Sequence, residues 1–482
     1  MNQLFYKPDK GWVGDVIPYY KDGKFALFYL FDNRDRANLG TSWHMVSTDD
    51  FVHFEEHGPV LPCGEPEDQD RNAFTGSILE KDGVYHLYYT GYNPAISVQG
   101  SPLQVVMHAV SHDLLHWEKR PEDLLYPDTS IYELHDWRDP YVFWNEEDQA
   151  YWMLLAARVN EGPNRRRGCI GLCVSKDLKE WEVREPFWSP GLYLTHECPD
   201  LFKMGDWWYL VYSTFSEKFV THYRMSKTLQ GPWLAPENDS FDSRAFYAGK
   251  TFSDGATRYI FGWNPTKERE NDYKDWEWAG SLVIHELVQQ PDGSLGVKPS
   301  RKIEDVFASR LALDWSPGIG DWSIDKNSLR ISAAESFACI GSRRDMPLRC
   351  ILSGKVRMTA GTRGCGIMLR ASDDYEQAYY IRFEPGRSRL VFDMWPRKIK
   401  EEGADSWQIN GDKPYLIELE RPIEGLSDSW HEFKVIIEDS ICVVYVDDWV
   451  ALSARLYNLR RGKWGFFVSE GEAQFADIEM AI

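Results

Sequence analysis

A short segment recurs five times within the first 265 residues, and this recurrence limits the fold more than any other feature of the chain. Each copy is a turn followed by an aromatic, β-rich run. Asp22-Gly23 precedes Lys24–Tyr29, Asp82-Gly83 precedes Val84–Tyr89, and Glu147-Asp148 precedes Gln149–Leu154. Gly205-Asp206 precedes Trp207–Tyr212, and Asp254-Gly255 precedes Ala256–Phe261. Asp-Gly between apolar runs is a hairpin signal, because both turn residues tolerate positive φ. Strand-built repeats every 50–65 residues or so predict a β-propeller with one blade per copy, hence five blades.

A second recurrence supports the same frame. Ser47–Phe54, Ser111–Trp117 and Ser175–Trp181 each follow an apolar strand, and Ser226–Trp233 is a looser copy. Each reads as the turn between the third and outer strands of a blade. Near residues 291–310 the pattern breaks into turn-rich sequence, and strand-like runs follow from Cys350 to Val468, including one at 415–419. Alternation within them, as in Phe433–Ile437, predicts a β-sandwich. The expectation is an all-β chain with a five-bladed β-propeller over residues 1–300, a linker over 301–310 and a β-sandwich over 311–482.

Three carboxylates lie just upstream of the repeated turns: Asp15 before Asp22, Asp139 before Asp148 and Glu197 before Asp206. On equivalent strands next to the propeller axis they would converge on one site. The second and fifth copies place Phe74-Thr75-Gly76-Ser77 and Tyr247-Ala248-Gly249 at the matching spot, without an acid. The chain is 15% aromatic with 21 Trp, which suits a sugar cleft as well as an aromatic core.

The formal net charge of −21 argues against nucleic acid or an anionic membrane as a partner. No signal-peptide pattern and no long apolar run is present, so a cytoplasmic protein is expected. Eight Cys show no CxxC pairing and read as buried thiols. His44, His135 and His196 share no metal-ligand spacing, so neither metal nor organic cofactor is expected. The expected partner is a small-molecule or oligosaccharide substrate; a homo-oligomer is left open. Arg165-Arg166-Arg167 is the one concentrated basic cluster, readable as a solvated loop or as a site for a phosphorylated sugar.

Around the acids the sequence resembles glycoside hydrolase family 32, the invertase, inulinase and fructanase group. Trp12-Val-Gly-Asp15 stands where that family has Trp-Met-Asn-Asp-Pro-Asn. Trp137-Arg138-Asp139-Pro140 matches its Arg-Asp-Pro motif, and Glu197-Cys198-Pro199-Asp200 its Glu-Cys motif. Trp43-His44-Met45-Val46-Ser47 and Phe74-Thr75-Gly76-Ser77 resemble two further segments. The resemblance implies a retaining hydrolase of non-reducing β-fructofuranosides. Asp15 would be the nucleophile, Glu197 the general acid/base and Asp139 the transition-state stabiliser. Arg138, Trp12, Trp43, Phe74, Ser77 and Trp263 would bind substrate. Asp272–Trp278 reads as a solvated loop or as part of the cleft rim. The sequence departs from the family at Gly14, at Val16-Ile17 and at Leu30-Phe31-Asp32-Asn33, which replaces Gln-Tyr-Asn-Pro. These departures point to an altered fructofuranoside, a different linkage or another furanose. A fructosyltransferase, an arabinofuranosidase-like hydrolase and a non-catalytic carbohydrate-binding propeller are the alternative readings.

Overall fold

The computed structural model describes residues 3–34, 40–96, 100–325, 328–395 and 418–482. They form two compact units. The first comprises Met1–Ser240, Phe246–Thr266 and Glu277–Leu295; the second comprises Phe241–Ala245, Lys267–Trp276 and Gly296–Ile482. Two short segments inside residues 1–300, and residues 296–300 as well, therefore group with the second unit.

The first unit is the five-bladed propeller. Its blades begin with Trp12–Lys21, Asn72–Lys81, Tyr132–Asn145, Glu197–Met204 and Tyr247–Ser253. These five strands contact one another in a closed ring, first to second and so on until the fifth meets the first. The ring is also closed by hydrogen bonding, since Val13 on the first strand pairs with Gly280 on Trp276–Gln289 of the fifth blade. Among the described residues the fourth blade has only three strands, and its outer edge is made by two isolated bridges, Met225 to Leu234 and His222 to Ser240.

The repeated turns do what their residues dictate. Asp22-Gly23 and Asp82-Gly83 all have positive φ, and the flanking pairs Lys21–Lys24 and Lys81–Val84 close two-residue hairpins. Asp148 and Asp254 sit instead in four-residue loops, between Asn145–Ala150 and Ser253–Arg258. The second recurrence is a self-capped turn. Ser111 Oγ accepts from the Leu114 amide and Asp113 Oδ1 from the Leu115 and His116 amides; Ser175 and Asp177 repeat this, and Thr48 and Asp50 take the roles in the first blade.

The second unit is the β-sandwich, which among the described residues is a single sheet of twelve strands bent over on itself. Its last strand, Lys463–Ala481, pairs through residues 463–469 with Gly364–Ala371 and through 473–481 with Arg349–Met358. Phe466 and Phe475 lie nine residues apart in that strand, about 30 Å in a straight one, yet their ring centroids are 4.4 Å apart. The bend falls at Glu470-Gly471, both with positive φ, where a Cβ on Gly471 would strike Thr362. The strand read at 415–419 lies outside the described residues up to 417, and Leu419–Pro422 is a strand. Among the described residues no helix is long and apolar enough to cross a membrane.

Candidate active site

All five inner strands carry a β-bulge at the same level. Register shifts fall between Val13 and Val16, Phe74 and Gly76, Glu197 and Asp200, and Tyr247 and Lys250; in the third blade two residues, Asp139 and Pro140, face only Leu155. An extra residue kinks a strand and re-aims its side chains. Asp139, Cys198 and Ala248, each the first bulge residue of its strand, share φ of 52–57°. The three acids are staggered across this feature. Glu197 is the last paired residue before its bulge, Asp139 the first bulge residue and Asp15 the second.

The stagger brings the acids together. Cys198 Sγ lies 3.6 Å from Asp15 Oδ2 and 3.7 Å from Asp139 Oδ2, and its amide donates to Asp139 Oδ2 at 2.9 Å. Arg138 Nη2 donates to Glu197 Oε1 at 3.0 Å, and its Nε lies 3.9 Å from Asp139. The other guanidinium nitrogen, Nη1, bonds Asp136 and Gln104. Each carboxylate is oriented from a neighbouring blade. Asp15 Oδ1 accepts from Trp263 Nε1 at 3.0 Å and Oδ2 from the Thr75 hydroxyl. Glu197 Oε2 accepts from the Tyr247 hydroxyl at 2.6 Å. Tyr247 in turn stacks on Phe219, with ring centroids 4.1 Å apart.

Burial sets the electrostatics. It pushes the Asp15 carboxyl up, against the opposing hydrogen bonds from Thr75 and Trp263. Asp139 is 5% exposed, and burial raises it to about 6 despite the Arg138 guanidinium, with Glu197 and Asp15 adding to the rise. Burial and then the two aspartates also hold the Cys198 thiol well above its usual range, so it is a neutral packing group and not a nucleophile.

A stability prediction follows from Asp139. Its folded carboxyl titrates near 6 and the unfolded one near 3.8, so folding binds protons between those values. The contribution of Asp139 to stability therefore falls as pH rises through this window. Asp139→Asn should stabilise the fold at pH 7, by on the order of 2–3 kcal/mol at most, while lowering activity. The gain should vanish below about pH 4, and denaturant melts of both proteins at pH 4 and pH 7 check it.

Other residues read from the sequence fall in different places. Trp43 is fully buried in the core between the first two blades, and its Nε1 donates to the Phe74 carbonyl at 3.1 Å. Ser77 is buried and accepts from the Val142 amide across to the third blade. Neither is pocket wall; both hold blades together. Phe74 is half-buried and stacks on Tyr92. Trp12 is half-buried, with Lys7 and Arg34 both 4.9 Å from its ring. Trp263 is fully buried and reaches Asp15 through its ring N–H alone. The stretch 272–278 is not a solvated loop: Asp272 is buried, and Trp276 begins a strand. In the basic cluster, Arg167 pairs with Glu133 and Arg166 donates to the Leu192 carbonyl. Thr75 and Tyr247 were not singled out from sequence, although both stand in segments noted there as matching the acids.

Residues 5–299, more than half of the chain, match the glycosyl hydrolases family 32 N-terminal domain. The chain belongs to glycosyl hydrolase family 32. Family 32 relatives include sucrose-6-phosphate hydrolase of Escherichia coli, 27% identical over 322 residues, which are 62% of this chain and 64% of that protein. Raffinose invertase of Escherichia coli is 26% identical over 482 residues, covering 93% of this chain and 88% of its own length. In fold, the chain is similar to sucrose-6-phosphate hydrolase from Lactobacillus gasseri, with a TM-score of 0.72, 18% identity, and 99% and 93% of the two chains covered. This family 32 chain is a glycoside hydrolase, and its propeller and sandwich are those of the family.

Proposed function

We propose that this family 32 protein hydrolyses a non-reducing β-fructofuranoside with retention of configuration. The observation that carries the reading is the pair of oriented acids. Both oxygens of Asp15 are held by donors from other blades, and both oxygens of Glu197 are held by Arg138 and Tyr247. In the first step an Asp15 oxygen attacks the anomeric carbon as the glycosidic C–O bond breaks, and Glu197 gives its proton to the departing oxygen. The Arg138 and Tyr247 donors then hold the Glu197 carboxylate that results. In the second step this carboxylate takes a proton from water, water oxygen bonds the anomeric carbon, and Asp15 leaves. Asp139 accepts hydrogen bonds from sugar hydroxyls, with Arg138 and the Cys198 amide fixing its position. The relatives named for sucrose 6-phosphate and raffinose support a sucrose-type substrate class.

The test is sugar release from sucrose, sucrose 6-phosphate, raffinose, and inulin- and levan-type oligosaccharides. Free fructose from at least one of them is expected, appearing first as the β-furanose by NMR. Release of the α-anomer would overturn retention, and no release from any donor would overturn the activity.

A further inference from the structure

The residue before Asp15 is glycine for want of space. Gly14 does not have positive φ, so its backbone conformation does not call for glycine. A Cβ built there would lie 2.5 Å from Cη2 and 2.8 Å from Cζ2 of Trp278, and 3.0 Å from the Leu30 carbonyl oxygen. The edge of the Trp278 indole therefore occupies the room that a side chain at position 14 would take. The same ring meets Trp263 edge-on, with centroids 6.1 Å apart, and Trp263 donates to the Asp15 carboxylate.

Trp278 differs from Trp263 in exposure. Trp263 is fully buried beside Asp15, whereas Trp278 is 42% exposed. One indole thus extends from the level of the nucleophile out to solvent. Its backbone is held firmly. Arg34 donates to the Trp278 carbonyl at 3.4 Å and pairs with Glu277, which also accepts from the Thr266 hydroxyl at 2.9 Å. The Arg34 guanidinium itself lies over the Trp12 ring.

We propose that Trp278 is the platform for the leaving-group sugar, and that Gly14 is glycine to admit it. The assignment rests on the fructofuranosidase reading above. With the fructosyl unit covering Asp15, the rest of the substrate extends toward the rim, where it meets an aromatic face. The C–H-rich face of a pyranose packs on such a ring and excludes water from it. An aglycone with no such face gains nothing there. The pair thus sets specificity for the leaving group and takes no part in bond cleavage.

The experiment compares sucrose, or whichever panel sugar is cleaved best, with methyl β-D-fructofuranoside. Trp278→Ala should raise KM for the disaccharide about ten-fold more than KM for the methyl glycoside, with a smaller change in kcat. Trp278→Phe should keep most of the discrimination, which separates ring contact from a loss of folding. Gly14→Ala should lower activity on both donors, and Gly14→Ala with Trp278→Ala should recover turnover of the methyl glycoside. Equal KM shifts for the two donors, or no recovery in the double variant, would overturn this assignment alone. No fructose release by the wild-type protein would overturn both the assignment and the activity beneath it.

Discussion

Replacing Asp15 by Asn is expected to lower kcat by about 10⁴-fold or more while leaving the fold intact. The size of the loss comes from chemistry, since a neutral amide cannot form and release the covalent bond to the anomeric carbon. The intact fold comes from geometry. Trp263 Nε1 can only donate, so the Asn oxygen faces it, and the new NH₂ faces Thr75. The Thr75 hydroxyl can turn and accept instead. Both bonds to the flanking blades therefore survive with reversed polarity on one side. Burial already makes an ionised group costly at position 15, so a neutral isostere carries no desolvation penalty of its own. The measurement is kcat on the best panel sugar beside a thermal melt of both proteins. A loss below 100-fold with an unchanged melt would remove Asp15 as nucleophile.

The blade count and the three acids were legible because each is written locally. Asp22-Gly23 and Asp82-Gly83 are turns by their own backbone preferences, and five such signals in strand-rich sequence leave few folds. The level at which the acids sit was not local. Asp15, Asp139 and Glu197 occupy three successive positions of one bulge, and a bulge is a mismatch between two strands that neither strand shows alone. Thr75 and Tyr247 were missed for the same reason. Both stand in the segments aligned with the acids, but without the bulge nothing says that Thr75, and not Phe74 or Ser77, reaches Asp15. Trp43 erred in the other direction. A tryptophan in a family-like segment suggests a sugar wall, whereas the nearness of the second blade makes it core. In the sandwich, the hairpin through Asp321–Asp325 and Ser328–Asp345 is hard to see in sequence because its outer strand is only five residues long and mostly exposed, so Trp322 and Ile324 give too short an alternation to stand out.

Glu197→Gln separates proton transfer from every other role at that position. Glutamine keeps an oxygen for Arg138 Nη2 and presents NH₂ to the Tyr247 oxygen, so the side chain stays where it is while its proton supply is removed. Turnover of a sugar donor, whose departing alkoxide needs a proton, should fall about 10³-fold, within the usual range for a lost general acid. A β-fructofuranosyl fluoride needs no such help, because fluoride departs unprotonated. Its first step should proceed at a rate within about ten-fold of wild type. The covalent intermediate would then accumulate, since Gln cannot deprotonate water. Azide, which attacks without losing a proton, should restore turnover and yield fructosyl azide. Intact-protein mass spectrometry with the fluoride, with and without azide, follows each stage. Equal losses on the sugar and the fluoride would show that Glu197 serves the site by charge or position and not by moving a proton.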